Sequence, residues 1–109
     1  MEGTYRMNAL EYILDKYKLV IPKRMPIEIP NVVRDDLAGL FGELGFKVGA
    51  EIGTLYGAYA KVLCEKNPKL KLYCVDPYKA YEGFLPGPLD QDTQDKIFED
   101  CKVTLSGYN

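Results

Sequence analysis

Two short apolar segments, each followed by a helical pattern, constrain the fold of this 109-residue chain more than any other feature. The segments are FKVGAEIG at 46–53 and LKLYCVDP at 70–77. Both carry apolar residues at odd and even positions, which is typical of strands in a parallel sheet whose two faces are covered by helices. Helical patterns at 56–66 and 92–105 follow them. The order strand, helix, strand, helix predicts an α/β fold with a right-handed crossover.

Residues 1–45 are predicted to form an N-terminal helical lead-in to residues 46–109. Apolar side chains at helical spacing predict one helix over 7–18 and a second that ends before Gly45, which is expected to adopt the left-handed cap conformation. The prolines at positions 22, 26 and 30 exclude helix between them. A proline-rich loop is predicted up to about residue 91, with Asp92 as the N-cap of the last helix.

The composition excludes several classes of function. The net charge is −2 and the isoelectric point is about 5.1, which makes nucleic acid or an anionic membrane surface an unsuitable main partner. Histidine is absent, which excludes histidine-based triads, general bases and metal ligands. No window approaches 18 apolar residues and no signal peptide is evident, so a cytoplasmic protein without a membrane span is expected.

The three cysteines, Cys64, Cys74 and Cys101, match no zinc-binding spacing and are odd in number. They are interpreted as buried or half-buried apolar residues in a reducing compartment, and no metal site is predicted.

Two acids and two glycines meet at the predicted carboxyl edge of the sheet, where open parallel sheets bind their ligands. Glu51 closes the first strand, Gly53 and Gly57 follow it, and Asp76 closes the second strand. Glycine allows a ligand to approach the backbone, and an acid at the end of the second strand can accept hydrogen bonds from ribose hydroxyls.

The charge of this turn disfavours a dinucleotide. Glu51 would repel a pyrophosphate, and Leu55 stands where the dinucleotide fingerprint has its middle glycine. A phosphate-free nucleoside with a cationic tail, such as S-adenosylmethionine, fits these features.

The segment VGAEIGTLYGAYAKVLCEKNPKLKLYCVDPYKAYEGF resembles the cofactor-binding half of class I S-adenosylmethionine-dependent methyltransferases, over about residues 46–109. The resemblance implies a partial Rossmann-like parallel sheet and S-adenosylmethionine as the cofactor. It implies that Glu51, Gly53, Thr54 and Gly57 line the methionine and ribose portion, and that Asp76 holds the ribose hydroxyls. The same resemblance implies that Pro77 and Tyr78 lie near the adenine.

Residues 46–109 supply only two of the seven strands of that fold, so they are expected to be its N-terminal, truncated half. The catalytic residues and the methyl acceptor are therefore unknown, and whether the chain alone is an enzyme stays open. Two unpaired strand edges predict a homo-oligomer.

Two alternatives to a methyltransferase remain. They are a non-catalytic, self-associating fragment and another nucleotide-binding Rossmann-type enzyme, such as an NAD-dependent oxidoreductase. Each feature also has a purely structural interpretation. Gly53 and Gly57 could allow tight packing alone, and Glu51 could be a solvated strand end. Asp76 could belong to an ordinary turn.

Overall fold

A computed structural model describes residues 8–21, 24–81 and 90–108. The predicted proline-rich loop falls largely on residues 82–89 and, for that part, lies outside the described residues. The chain divides into two compact units, Met1–Val33 and Arg34–Asn109. The boundary lies before the second helix, so that helix belongs to the same unit as the strands rather than to the lead-in.

The described part of the first unit contains one helix, α1, over Ala9–Lys16. A reciprocal capping box begins it: the Glu11 backbone N–H donates to Asn8 Oδ1 at 2.8 Å, and the Asn8 backbone N–H donates to Glu11 Oε2 at 3.2 Å. None of the α1 side chains is buried.

The second unit has helices α2 (Arg34–Leu44), α3 (Ala58–Lys66) and α4 (Gln91–Leu105) with strands β1 (Val48–Ile52) and β2 (Lys71–Val75). The two strands pair in parallel, with Val48 opposite Lys71 and Ile52 opposite Val75. This confirms a mixed α/β architecture with a two-stranded parallel sheet in the described part of the chain. Gly45 has a φ of +74° directly after α2, as its predicted role in ending that helix requires.

Helix α3 is central to the packing of the second unit, because it contacts α2, α4 and β2. Its buried side chains are Ala60, Leu63 and Cys64, and the core also contains Leu40 of α2 and Ile97 of α4. The last helix starts one residue earlier than the pattern predicts. Its N-cap is Asp90 rather than Asp92, and the Asp90 side chain accepts the Thr93 backbone N–H at 2.8 Å.

One face of the sheet is open, which differs from the prediction that both faces are covered. Val48 and Ile52 of β1 are 67% and 78% exposed, and Tyr73 and Val75 of β2 share that face and are also exposed. Gly49, Glu51 and Leu72, on the other face, are half-buried. The apolar residues on this face of the strands are therefore left exposed in the described part of the second unit.

Two glycines of α2 provide a matched test of how α2 packs on α3. A Cβ added at Gly42 would lie 2.9 Å from the backbone oxygen of Lys66, whereas one added at Gly39 would meet nothing within 4 Å. Gly42→Ala is therefore expected to lower the free energy of unfolding by about 1–3 kcal/mol through overpacking. Gly39→Ala is expected to raise it by about 0.5–1 kcal/mol, because alanine is the better helix former.

Urea unfolding followed by circular dichroism measures both changes. Equal effects of the two substitutions would contradict the close contact between α2 and the end of α3.

Candidate functional site

A strained turn over residues 53–57 connects β1 to α3 at the carboxyl edge of the sheet. Gly53 and Gly57 both have a φ of +85°, and Leu55 between them has a φ of +54°. The left-handed conformation is unfavourable for leucine, so the surrounding contacts must hold it. The backbone N–H of Gly53 donates to the Val75 carbonyl at 2.7 Å, which ties the turn to the end of β2.

Asp76 fixes this turn with its carboxylate. Its Oδ2 accepts the Leu55 backbone N–H at 3.0 Å, and its Oδ1 accepts the Tyr78 backbone N–H at 2.9 Å. The Tyr78 hydroxyl in turn donates to the Leu55 carbonyl at 2.6 Å. Both carboxylate oxygens thus hold one backbone donor each, and each keeps a second lone pair with which it can accept a further hydrogen bond.

Glu51 is the other acid of the predicted site, and its environment is unfavourable for a charge. Its Oε1 is buried and has no hydrogen-bond partner. Burial raises the pKa of Glu51 above its usual value of 4.5, and the Thr54 hydroxyl and the charge of Arg34 only partly oppose that increase. Thr54 itself is buried, and its hydroxyl lies 3.5 Å from the Glu51 carbonyl, to which it donates.

The register of the sheet places the two acids at adjacent strand ends. Glu51 is paired with Cys74 of β2, and Asp76 follows Cys74 by two residues along the chain. Two residues of extended chain correspond to roughly 6–7 Å. The sequence therefore predicted which strand ends carry the acids, and the parallel pairing brings those ends side by side.

The two glycines of the turn have different surroundings. A Cβ added at Gly53 would meet nothing within 4 Å, so the backbone there faces open space. A Cβ added at Gly57 would lie 3.1 Å from Cys101 Sγ and from Leu105 Cγ. The turn therefore lies tightly against α4 at Gly57, where an added side chain would require Cys101 and Leu105 to shift, whereas Gly53 leaves room for a ligand against the backbone.

Two residues of α4, Phe98 and Gln91, also contact the segment at Tyr78. The Tyr78 ring lies 4.8 Å from the ring of Phe98, measured between centroids. Gln91, the first residue of α4, donates from Nε2 to the Tyr78 carbonyl at 3.0 Å and accepts the Ala80 backbone N–H on Oε1 at 3.0 Å. Burial is the main cause that raises the pKa of Tyr78, so the hydroxyl is protonated and remains a donor. Pro77, which precedes it, is exposed.

The contacts of Gln91 and Phe98 were not predicted from the sequence. No local pattern signals them, because they depend on how the start of α4 returns to the end of β2. The same holds for Arg34, whose guanidinium carbon lies 5.1 Å from the centroid of the Tyr59 ring.

The three cysteines differ in their exposure. Cys64, Cys74 and Cys101 are free thiols, and Cys74 is exposed rather than buried. Burial is the main cause that raises the pKa of Cys64 above its usual value. Across the described residues, no group of three histidine, cysteine or acidic side chains is arranged to hold a metal ion.

A cleft of about 540 Å³ lies at the opposite, amino edge of the sheet. Its wall contains glycines of α2 and three lysines, and it lacks the pair of acids. Parallel sheets bind ligands at the carboxyl edge, so the turn at 53–57 remains the better candidate. The lining residues are Gly39, Gly42, Glu43, Gly45, Phe46, Lys47, Lys66, Asn67, Pro68, Lys69 and Leu70.

This chain matches no protein-family model, no curated protein and no solved structure. None of the helices in the described ranges has the length and apolar character needed to cross a membrane.

The buried carboxylate predicts how stability depends on pH. The pKa of Glu51 is raised on folding, so the folded chain binds that proton more tightly than the unfolded chain. The resulting stabilisation is present below about pH 4.5 and is lost as the pH rises through the folded pKa. Glu51→Gln, which is neutral throughout, is therefore expected to raise the free energy of unfolding at neutral pH, with a gain that shrinks toward pH 4.5.

Urea unfolding at a series of pH values checks this expectation. Glu99→Gln is the matched control, because Glu99 is exposed and pairs with Lys102 at 2.8 Å on the surface of α4. Its substitution should change stability by less than about 1 kcal/mol. A Glu51→Gln variant less stable than the parent at neutral pH would show that Glu51 has a stabilising partner.

Proposed function

We propose that residues 34–109 bind S-adenosylmethionine and form the cofactor-binding part of a methyltransferase with a Rossmann-like sheet. The observation that carries the proposal is the Glu51 carboxylate. It has a buried oxygen without a hydrogen-bond partner and lies directly before a turn whose Gly53 backbone faces open space. A buried acceptor without a partner is costly, and a cationic or hydrogen-bond-donating ligand removes that cost.

The second acid supports a nucleoside rather than a simple cation. Asp76 stands at the end of the neighbouring strand, and its two oxygens each retain one acceptor position after holding the turn. Ribose offers two adjacent hydroxyl donors to such a carboxylate. The Tyr78 and Phe98 rings form a small aromatic group just after Asp76, which suits the face of a base.

The site favours S-adenosylmethionine over a dinucleotide because of its charge. A pyrophosphate would place two negative charges beside Glu51, in a turn whose middle position is Leu55 instead of glycine. The sulfonium and ammonium groups of S-adenosylmethionine are positive and it carries no phosphate. An NAD-dependent oxidoreductase is therefore the weaker assignment for this turn.

Self-association is a second candidate, favoured by the open sheet face. Val48, Ile52, Tyr73 and Val75 form an exposed apolar surface, and within the described residues both strands have an unpaired edge. Parallel sheets are normally covered on both faces. A homo-oligomer formed through these edges would bury that surface without any need for catalysis.

Isothermal titration of the chain distinguishes these functions. S-adenosylmethionine and S-adenosylhomocysteine are expected to bind, and NAD is expected not to bind. Asp76→Asn should weaken both nucleosides, because the amide offers one acceptor oxygen instead of two. Asp100→Asn, on α4, is the control for loss of one surface carboxylate.

Sedimentation of the same samples tests the second candidate. A folded oligomer that binds no nucleoside at millimolar concentration would contradict cofactor binding and support self-association alone. A monomer at all concentrations would contradict self-association through the sheet.

A further inference from the structure

The cleft at the amino edge of the sheet is large enough for a small molecule. It has a volume of about 540 Å³ and is lined by the end of α2 and by the connection from α3 to β2. Sites that bind small molecules usually measure roughly 300–1,000 Å³. Gly39 of α2 lines this cleft, and a Cβ added there would meet nothing within 4 Å. The space beside this glycine is therefore open.

Asn67 is held rigidly in the lining of the cleft. Only 5% of this residue is exposed, and its Nδ2 donates to the Ala38 carbonyl at 3.0 Å and to the Leu63 carbonyl at 2.8 Å. These two bonds fix the orientation of the amide. Its Oδ1 is buried and has no hydrogen-bond partner in the described part of the chain. A buried acceptor without a donor is costly, and such a group in a folded protein calls for an explanation.

A second oxygen lies close to Asn67 Oδ1, beside Gly42. A Cβ added at Gly42 would lie 2.9 Å from the Lys66 carbonyl oxygen and 3.3 Å from Asn67 Oδ1. Both acceptors thus lie next to one glycine of the cleft lining, and glycine has no side-chain donor for either. This part of the cleft suits a ligand group that carries O–H or N–H donors.

The charged side chains of the cleft lining are mainly cationic. They are three lysines, Lys47, Lys66 and Lys69, and one acid, Glu43. This local excess of positive charge contrasts with the net charge of −2 of the whole chain. Lys66 is the last residue of α3 and also stabilises the C-terminus of that helix. Lys47 and Lys69 lie outside the helices, so that role does not account for them.

We infer that this cleft is a second binding site, which takes a phosphorylated sugar or polyol. Its hydroxyl groups donate to the two oxygens beside Gly42, and its phosphate group lies among the exposed lysines, since lysine binds phosphate as a point charge. The C–H face of the ligand packs on Phe46, which lines the cleft and is 45% exposed. The site is separate from the turn at 53–57 and does not depend on the proposed function.

Four probes separate the two halves of this ligand. Glucose 6-phosphate and glycerol 3-phosphate carry both hydroxyl and phosphate groups, glucose lacks the phosphate, and inorganic phosphate lacks the polyol. NMR titration of the nitrogen-15-labelled chain at low ionic strength measures their affinities. At least one of the two phosphorylated probes is expected to bind about tenfold or more tightly than glucose or inorganic phosphate. It should also shift the side-chain NH₂ resonances of Asn67, because the amide oxygen gains a donor.

Variants of the cleft locate the site. Gly39→Leu fills the open space without overpacking and is expected to abolish binding, whereas Gly39→Ala should stay within about threefold of the parent. Lys47→Gln and Lys69→Gln should each weaken the phosphorylated probe about threefold to tenfold and leave glucose unchanged. Lys96→Gln is the control for loss of one positive charge, because Lys96 is exposed on α4 and pairs with Asp100 at 3.5 Å.

Each outcome supports or overturns the second site. Selective binding of a phosphorylated probe that depends on Gly39 and on the two lysines supports it. Failure of both phosphorylated probes to bind would overturn it, as would equal binding of inorganic phosphate without a shift at Asn67. Binding that the lysine variants leave unchanged would also overturn it, and these variants test the site even where Gly39→Leu does not fold. Titration of the same variants with S-adenosylhomocysteine measures nucleoside binding separately, so failure of either site is recognised independently.

Discussion

The Asp76 carboxylate is the contact on which the geometry of the carboxyl edge depends. It holds the Leu55 N–H of the turn after β1 and the Tyr78 N–H of the segment after β2, so one side chain joins two connections. Leu55 is in a left-handed conformation that leucine adopts only under constraint. The Tyr78 hydroxyl adds a second constraint by donating to the Leu55 carbonyl. These contacts act together with the Gly53 N–H bond to the Val75 carbonyl and the Gly57 N–H bond to the Thr54 carbonyl, which also hold the turn.

The arrangement separates the roles of the two acids. Asp76 accepts two backbone N–H donors and acts first as part of the structure. Glu51 has a buried oxygen without a donor, which makes its charge costly in the free chain. Functional sites commonly retain such unsatisfied groups, since a ligand then gains the interaction that the protein lacks. This difference is the physical basis for the proposal that the cationic end of a ligand binds at Glu51.

The sequence predicted the features that depend on local pattern. Spacing and glycine chemistry predicted helices over 7–18, before Gly45, over 56–66 and over 92–105, together with the two parallel strands and the left-handed Gly45. The structure has these helices at 9–16, 34–44, 58–66 and 91–105. The alternation of apolar residues did not predict the open sheet face, because periodicity identifies a strand but not what covers it. Asp92 was wrongly favoured as the cap of α4 because Asp90 is an equally good capping residue two positions earlier.

The contacts that define the candidate site were less predictable. The positions of Glu51, Gly53 and Asp76 follow from the strand ends. The two backbone N–H groups that donate to the Asp76 carboxylate depend instead on tertiary geometry. The contact between Tyr59 and Arg34 joins residues 25 positions apart that belong to no recognisable motif. Gly57 fits a ligand-binding turn equally well in the sequence, and only the structure shows that a Cβ added there would crowd Cys101 and Leu105.

The most direct test is the pKa of the Glu51 carboxyl group, measured by carbon-13 NMR in the free chain and with saturating S-adenosylhomocysteine. A pKa above 4.5 is expected in the free chain, because Glu51 Oε1 is buried and has no hydrogen-bond partner. A lower pKa is expected in the complex, because the ammonium group of the proposed ligand would stabilise the charged form. A pKa at or below 4.5 in the free chain, or the same pKa with ligand bound, would contradict the proposed role of Glu51.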